Sequence, residues 1–112
     1  MQNYQSGEVL LLSFPFGDAV GSKRRPALAL VDTGDEDIIV ARITSQIAPT
    51  NFDVELEEWQ RAGLLLRSYV RVHKVATLEK RLVERRLGTL TPNDWLKVQA
   101  KIQQLWASIL LS

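Results

Sequence analysis

Lys23-Arg24-Arg25-Pro26 sets three cations side by side, directly before the apolar run Ala27-Leu28-Ala29-Leu30-Val31. A guanidinium held at a strand start presents a planar fork that can grip a phosphate through two parallel hydrogen bonds. Ile43-Thr44-Ser45-Gln46 offers two hydroxyls and an amide at the end of a second β-branched run, Ile38 to Thr44. If the two runs pair as an antiparallel hairpin, Arg25 and Thr44 come to the same end of it. An arginine beside hydroxyls at a sheet rim is the chemistry of a phosphate site. Taken singly, each motif also fits a blander account: a solvated loop end for the cations, an ordinary strand end for Thr44.

Other chemistries are excluded or unsupported. The chain has no Cys, which removes disulfides, thiolate metal sites and cysteine nucleophiles. Its one His, His73, removes multi-histidine zinc sites within one chain. The acidic turn Asp32/Asp35/Glu36/Asp37 lacks the glycine and distal glutamate of a calcium loop. Gly17 to Ser22 contains two glycines but no phosphate-loop pattern. No Gly-x-Ser-x-Gly is present to support a serine triad. No apolar run reaches the ~20 residues of a membrane span, and Met1 to Gly7 lacks the basic start and apolar stretch of a signal peptide. The expectation is a soluble, cytoplasmic protein with no membrane partner.

Charge is distributed unevenly. The formal net charge is +1, yet residues 1–60 carry four bases against ten acids, and residues 61–86 carry eight bases against two acids. Such a basic block can be an anion-binding face or a solvated one.

The elements that would position these groups are short. A length of 112 residues suits one domain, 1–112, burying about two-thirds of its unfolded surface. Gly7 to Phe16 reads as a strand buried on both faces, followed by a flexible Gly17–Ser22 loop. Ala27–Val31 and Ile38–Thr44 form a hairpin over the acidic turn, with Pro26 at a strand start or edge. Asp53-Val54-Glu55-Leu56 alternates as a short strand does. Glu57 to Gly63 reads as one or two helical turns capped by glycine. Ser68–Ala76 is a strand, Glu79–Leu82 a turn, and Arg86–Leu90 a last strand. The terminal helix has Thr91 as N-cap, Pro92 at its first position and Asp94 in a capping-box-like place. Trp95 and Trp106, three turns apart, would share a core face. The apolar tail, Leu105 to Leu111, points to a second burial surface such as a subunit interface. Closely spaced strands followed by one helix predict a mainly β, α+β architecture: a small, curled antiparallel barrel with a helix packed on it.

In their order and spacing, several segments together resemble the MazF/PemK family. They are Gly7-Glu8-Val9, Phe14-Pro15-Phe16, Lys23-Arg24-Arg25-Pro26-Ala27-Leu28, Ile39-Val40-Ala41, Ile43-Thr44-Ser45-Gln46, Trp59-x-x-Ala62-Gly63-Leu64, Ser68-x-Val70-Arg71 and Lys74-Val75-Ala76-Thr77-Leu78. The resemblance covers almost the whole chain. It implies an SH3-like curled barrel of the PemK/MazF type, acting as a homodimer, in a bacterial toxin–antitoxin pair. It implies an endoribonuclease that cuts single-stranded RNA at short sequences without metal or cofactor, leaving a 2′,3′-cyclic phosphate and a 5′-hydroxyl. A cognate antitoxin protein would be its partner. By the same resemblance Arg25 and Thr44 are the catalytic positions, with Lys23, Arg24, Ser45 and Gln46 as RNA-binding neighbours.

Physical chemistry limits these roles. Cleavage by the 2′-hydroxyl needs that proton removed, the phosphorane stabilised and the leaving oxygen protonated. Arg25 suits the second task, since a guanidinium holds its proton too tightly for acid catalysis. Thr44 suits hydrogen bonding to the phosphate or the 2′-hydroxyl. Some family members carry an arginine and an acid, two residues apart, where this chain has Arg71-Val72-His73. Arg71 matches. His73 replaces the acid, and imidazole titrates nearer neutrality. By period two it would face the side that Arg71 faces, as acid/base or phosphate ligand, or as a plain strand residue. Arg67, where the family often has proline before the serine, bears on loop stiffness or RNA charge contacts; Arg85 and Arg86 have no motif support and read as solvated. Two alternatives stay open: a non-enzymatic gyrase-type inhibitor on the same fold, and an RNA-binding barrel without catalysis.

Overall fold

Six strands and one helix form in the order expected for hairpin-linked segments closed by a terminal helix. In a computed structural model, which describes residues 3–14, 23–47 and 50–112, β1 is Glu8–Phe14, β2 Lys23–Asp32, β3 Asp37–Thr44, β4 Asp53–Glu55, β5 Tyr69–Glu79 and β6 Val83–Thr89. A 3-10 turn, Lys80–Leu82, joins β5 to β6, and α1 spans Pro92–Leu110. The strands make one antiparallel sheet in the order β4-β5-β3-β2-β1-β6. The sheet curls without closing, so β4 and β6 remain its edges. The Gly17–Ser22 loop, Pro15, Phe16 and Pro49 lie outside the described residues.

The core lies on both faces of this sheet. Val9, Leu28, Ala41, Ile43, Leu56, Val70 and Val72 pack on one side with Val98 of α1, and Trp95 and Ile102 join them. Leu10, Leu12, Ala27, Ala29, Ile38 and Val40 pack on the other with Tyr4. Successive residues of β1 point to opposite faces, so Val9, Leu10 and Leu12 being buried makes it the doubly buried strand that its unbroken apolar run implies. Each fully buried Leu or Ile contributes roughly 1.5–3 kcal/mol.

Four details differ from the expectation. β2 begins at Lys23, so the three cations already belong to the strand; Pro26 pairs with Leu11 of β1 and precedes the first β2–β3 pair, Ala27 with Arg42. The Glu57–Gly63 segment is a chain of tight turns, with hydrogen bonds from the amides of Arg61, Ala62 and Gly63 to carbonyls three residues back. It never gains a helical ladder because its backbone is held elsewhere. The Asp94 carboxylate accepts from the Glu57 and Glu58 amides, both at 3.0 Å, instead of turning back on its own helix. The Thr91 hydroxyl caps α1 by accepting from the Asp94 amide at 3.3 Å. Trp106 is 61% exposed, unlike Trp95; α1 outruns the sheet, and its last turns have nothing to pack on.

Gly63 ends the tight turns at φ +83°, a conformation that favours glycine. A β-carbon there would stand 2.0 Å from the Leu87 carbonyl oxygen, and one on Gly88 would stand 2.5 Å from that of Ala62. The segment is therefore pinned at both ends, by Asp94 at one and by glycine-to-glycine backbone contact with β6 at the other.

Candidate active site

The β2–β3 register decides where the expected residues fall. Ala27 pairs with Arg42; Arg25 lies two residues before the first, Thr44 two residues after the second. Both reach the same mouth of the hairpin, and both line one cleft of about 650 Å³. Ser45, Gln46 and Arg71 line it too, as do Arg42 and Arg85. Its remaining wall includes Leu64, Leu65 and Leu66, carried by the pinned turns, and Leu11, Ile43 and Leu87 from the sheet.

Arginine dominates the electrostatics. Among the described residues, four that bear guanidinium line the cleft and no carboxylate does. Of these four, Arg71 has a carboxylate partner among the described residues: its Nε donates to Asp53 Oδ1 at 3.1 Å. Burial alone would raise the Asp53 carboxyl. Hydrogen bonds from the Thr50 hydroxyl and amide and from Arg71 outweigh it and hold the group below its ordinary value. Among the described residues, no hydrogen bond or ion pair holds the side chains of Arg25, Arg42 or Arg85. The Thr44 oxygen accepts from the Gln46 amide at 3.1 Å. That bond folds Ser45 and Gln46 over the strand end and leaves the hydroxyl proton to point at a ligand. Ser68, buried, donates to the Leu66 carbonyl at 2.7 Å and holds the leucine wall in place.

Three candidates lie apart from this cleft. Arg24 pairs with Glu84 of β6 at 3.0 Å, and neither it nor Lys23 is among the lining residues. His73 is absent from the lining as well. Arg42 pairs with Arg71, whereas Ala41 pairs with Val75, so Val72, His73 and Lys74 have no partner on β3; burial still alternates from Val70 through His73 and breaks at Lys74 and Val75. His73 instead meets Phe52, with ring centroids 6.1 Å apart and tilted by 45°. Its Nδ1 is buried without a hydrogen-bond partner among the described residues.

Two charged lining residues escaped the motifs, Arg42 and Arg85. Arg42 was open to discovery, standing two residues from Thr44 on one strand and so on the same side of it. Arg85 had no such signal, because only the pairing of β6 with β1, Arg85 opposite Leu11, carries it to the cleft.

A curled, open antiparallel sheet with one terminal helix and an arginine-rich cleft at the β2–β3 mouth defines a small, mainly β protein of one recognisable class. Residues 5–106 match the family described as PemK-like, MazF-like toxin of type II toxin-antitoxin system, and the chain belongs to that family. The fold is shared with solved structures of low sequence identity. One is an endoribonuclease in complex with its cognate antitoxin from a mycobacterial species: TM-score 0.74, 19% identity, covering 91% of this chain and 93% of that one. Another is MazE-MazF from Deinococcus radiodurans: TM-score 0.74, 21% identity, covering 95% and 97%. A third is the Mycobacterium tuberculosis toxin MazF-mt6: TM-score 0.73, 18% identity, covering 89% and 96%. A sequence search of curated proteins gave no match.

Proposed function

We propose that this toxin is an endoribonuclease. It cleaves single-stranded RNA by attack of a 2′-hydroxyl on the adjacent phosphate, leaving a 2′,3′-cyclic phosphate and a 5′-hydroxyl without a metal. The carrying observation is the convergence of Arg25 and Thr44 in a cleft whose other arginines include two without carboxylate partners among the described residues. Family membership and the endoribonucleases among the structural neighbours support the same reading.

In this reading Arg25 places its fork on the non-bridging oxygens, where charge grows as the phosphorane forms. Thr44 makes a hydrogen bond to the phosphate or the 2′-hydroxyl without giving up its proton, and Ser45 and Gln46 contact the neighbouring nucleotide. Arg71, oriented by Asp53, adds a fixed positive charge. The described lining contains neither imidazole nor carboxylate, so in this reading its side chains stabilise the phosphorane, while solvent water takes the 2′-hydroxyl proton and supplies the proton to the leaving 5′-oxygen. Leu65 and Leu66, 91% and 62% exposed, give the cleft an apolar lip. Unpaired bases can cover such a surface, and bases stacked in a duplex cannot.

The same reading includes a homodimer, with exposed Trp106, Ile109, Leu110 and Leu111 as a second burial surface, and a cognate antitoxin partner like those in the neighbouring complexes. Among the described residues no helix is long and apolar enough to cross a membrane, and we place the activity in the cytoplasm, with its RNA.

The test is incubation with a long, weakly structured RNA in EDTA, followed by mapping of new 5′ ends. Discrete cuts with 5′-hydroxyl ends, lost in Arg25→Ala, are expected. Intact RNA from folded protein would overturn the reading in favour of a gyrase-type inhibitor or a non-catalytic RNA binder.

A further inference from the structure

Arg42 and Arg85 belong to no motif of the sequence, yet both line the cleft. Both are exposed, and no carboxylate pairs with either among the described residues. Guanidiniums that share one cleft with Arg25 and Arg71 repel one another, and like charges directly opposite across a ladder destabilise it, an effect that Asp53 offsets at Arg71. Arg42 stands in that position to Arg71. An arrangement that costs stability in the free protein is relieved when an anion enters.

The ladder fixes how these charges are spread. Arg71 is on β5, Arg42 on β3, Arg25 on β2 and Arg85 on β6, and the sheet order is β5-β3-β2-β1-β6. Four inter-strand steps of ~4.8 Å put about 19 Å of curled sheet between the outer two strands. That row is too long for one phosphate. Its direction is across the strands, and a chain of phosphates following it would cross β6, β1, β2, β3 and β5 in turn.

We infer that Arg42 and Arg85 are phosphate-binding residues for nucleotides flanking the cut. They hold the strand on either side of Arg25, so that one RNA backbone runs across the sheet. This rests on the endoribonuclease reading and deepens it. Arg25 acts on the reacting phosphate, whereas Arg42 and Arg85 bind ground state and transition state alike and so lower KM rather than raise kcat.

The experiment measures binding of an uncleavable RNA, carrying 2′-O-methyl groups at the mapped cut site, to wild type, Arg42→Ala and Arg85→Ala over a salt series. Each lost contact is expected to reduce the slope of log K against log salt by about 0.7 and to weaken binding roughly 5- to 10-fold near physiological salt. In cleavage assays KM should rise by a similar factor, with kcat within about threefold. Arg42→Lys and Arg85→Lys should keep the salt slope, because the charge remains; they also serve if an alanine variant misfolds. Unchanged slope and affinity in both alanine variants would overturn the inference while RNA binding and cleavage by wild type keep the nuclease reading standing. A fall in kcat at unchanged affinity would also overturn it, by moving these arginines into the chemical step. If wild type neither binds nor cuts RNA, the nuclease reading falls and takes this inference with it.

Discussion

Arg42 and Arg71 stand directly opposite each other across the β3–β5 ladder, and Asp53 flanks Arg71 from β4. Arg71 thus lies between a carboxylate on β4 and a like charge on β3, and Asp53 offsets the repulsion from the far side. Asp53 also accepts from the Thr50 hydroxyl and amide, at 2.8 and 3.0 Å. The charge of the cleft is therefore anchored from outside the cleft.

Asp53→Asn should destabilise the fold by roughly 2 kcal/mol, the scale of hydrogen bonds to a charged group. It should also weaken cleavage by freeing Arg71 from its fixed position. Urea denaturation and RNA-cleavage kinetics measure the two effects. Unchanged cleavage in a destabilised Asp53→Asn would confine Asp53 to a structural role.

Thr44→Ser keeps the hydroxyl and should retain cleavage within about tenfold. Thr44→Val keeps the shape but removes donor and acceptor, and should lose on the order of 100-fold, as for removal of one donor to a developing oxyanion. Single-turnover cleavage separates the variants. Equal rates in both would remove Thr44 from the chemistry.

The acid limb of stability should carry the signature of Asp32. Its carboxylate meets Lys80 Nζ at 2.7 Å with both side chains buried, and accepts from the amides of Tyr4 and Gly34. Hydrogen bonds from Lys80, then Tyr4 and Gly34, lower its pKa from 3.8 to about 2. A depressed folded-state pKa adds stability above the unfolded value, and that stability is lost as pH falls through the folded value. The stability difference between wild type and Asp32→Asn should be constant at neutral pH and shrink from about pH 4 down to about pH 2. Denaturation midpoints across that range test it; a difference that stays flat to pH 2 contradicts it.

Asp94→Ala should cost about 3 kcal/mol, since it leaves two amides without their acceptor, and should release the Glu57–Leu66 segment. Faster hydrogen exchange at the Glu57 and Glu58 amides, with a raised KM as the leucine wall loosens, is the expected pair of changes. Gly63→Ala should be at least as damaging, because the new β-carbon meets a backbone oxygen and a positive φ together. Native stability in Gly63→Ala would contradict the pinned geometry.

Much of this was legible in the sequence because it depends on local pattern. The unbroken apolar run of β1, the hairpin over the acidic turn and the Thr91-Pro92 helix start all appear as expected. The meeting of Arg25 and Thr44 followed from antiparallel pairing alone. What pattern could not supply was non-local. The break in β5 pairing after Arg71, and the meeting of His73 with Phe52, appear only once the chain is folded. Arg85 reaches the cleft through β1, and Asp94 spends its carboxylate on residues 36 and 37 positions away. Trp106 kept its helical spacing and lost its core, since periodicity assigns a face without saying what lies opposite.

The open sheet has one further consequence, for solubility. A terminal strand offers unpaired amides and carbonyls to any passing strand. β6 manages this hazard in two ways. The Ala62–Gly63 turn crowds against its backbone at Leu87 and Gly88, while Glu84, Arg85 and Arg86 line up in its middle, where its pairing with β1 also slips register. Arg85 therefore serves as a gatekeeper against edge-to-edge aggregation as well as a wall of the cleft. Exchanging it for a β-branched apolar residue would do more than weaken a contact: it would leave a sticky seam on a protein that must stay dispersed to act.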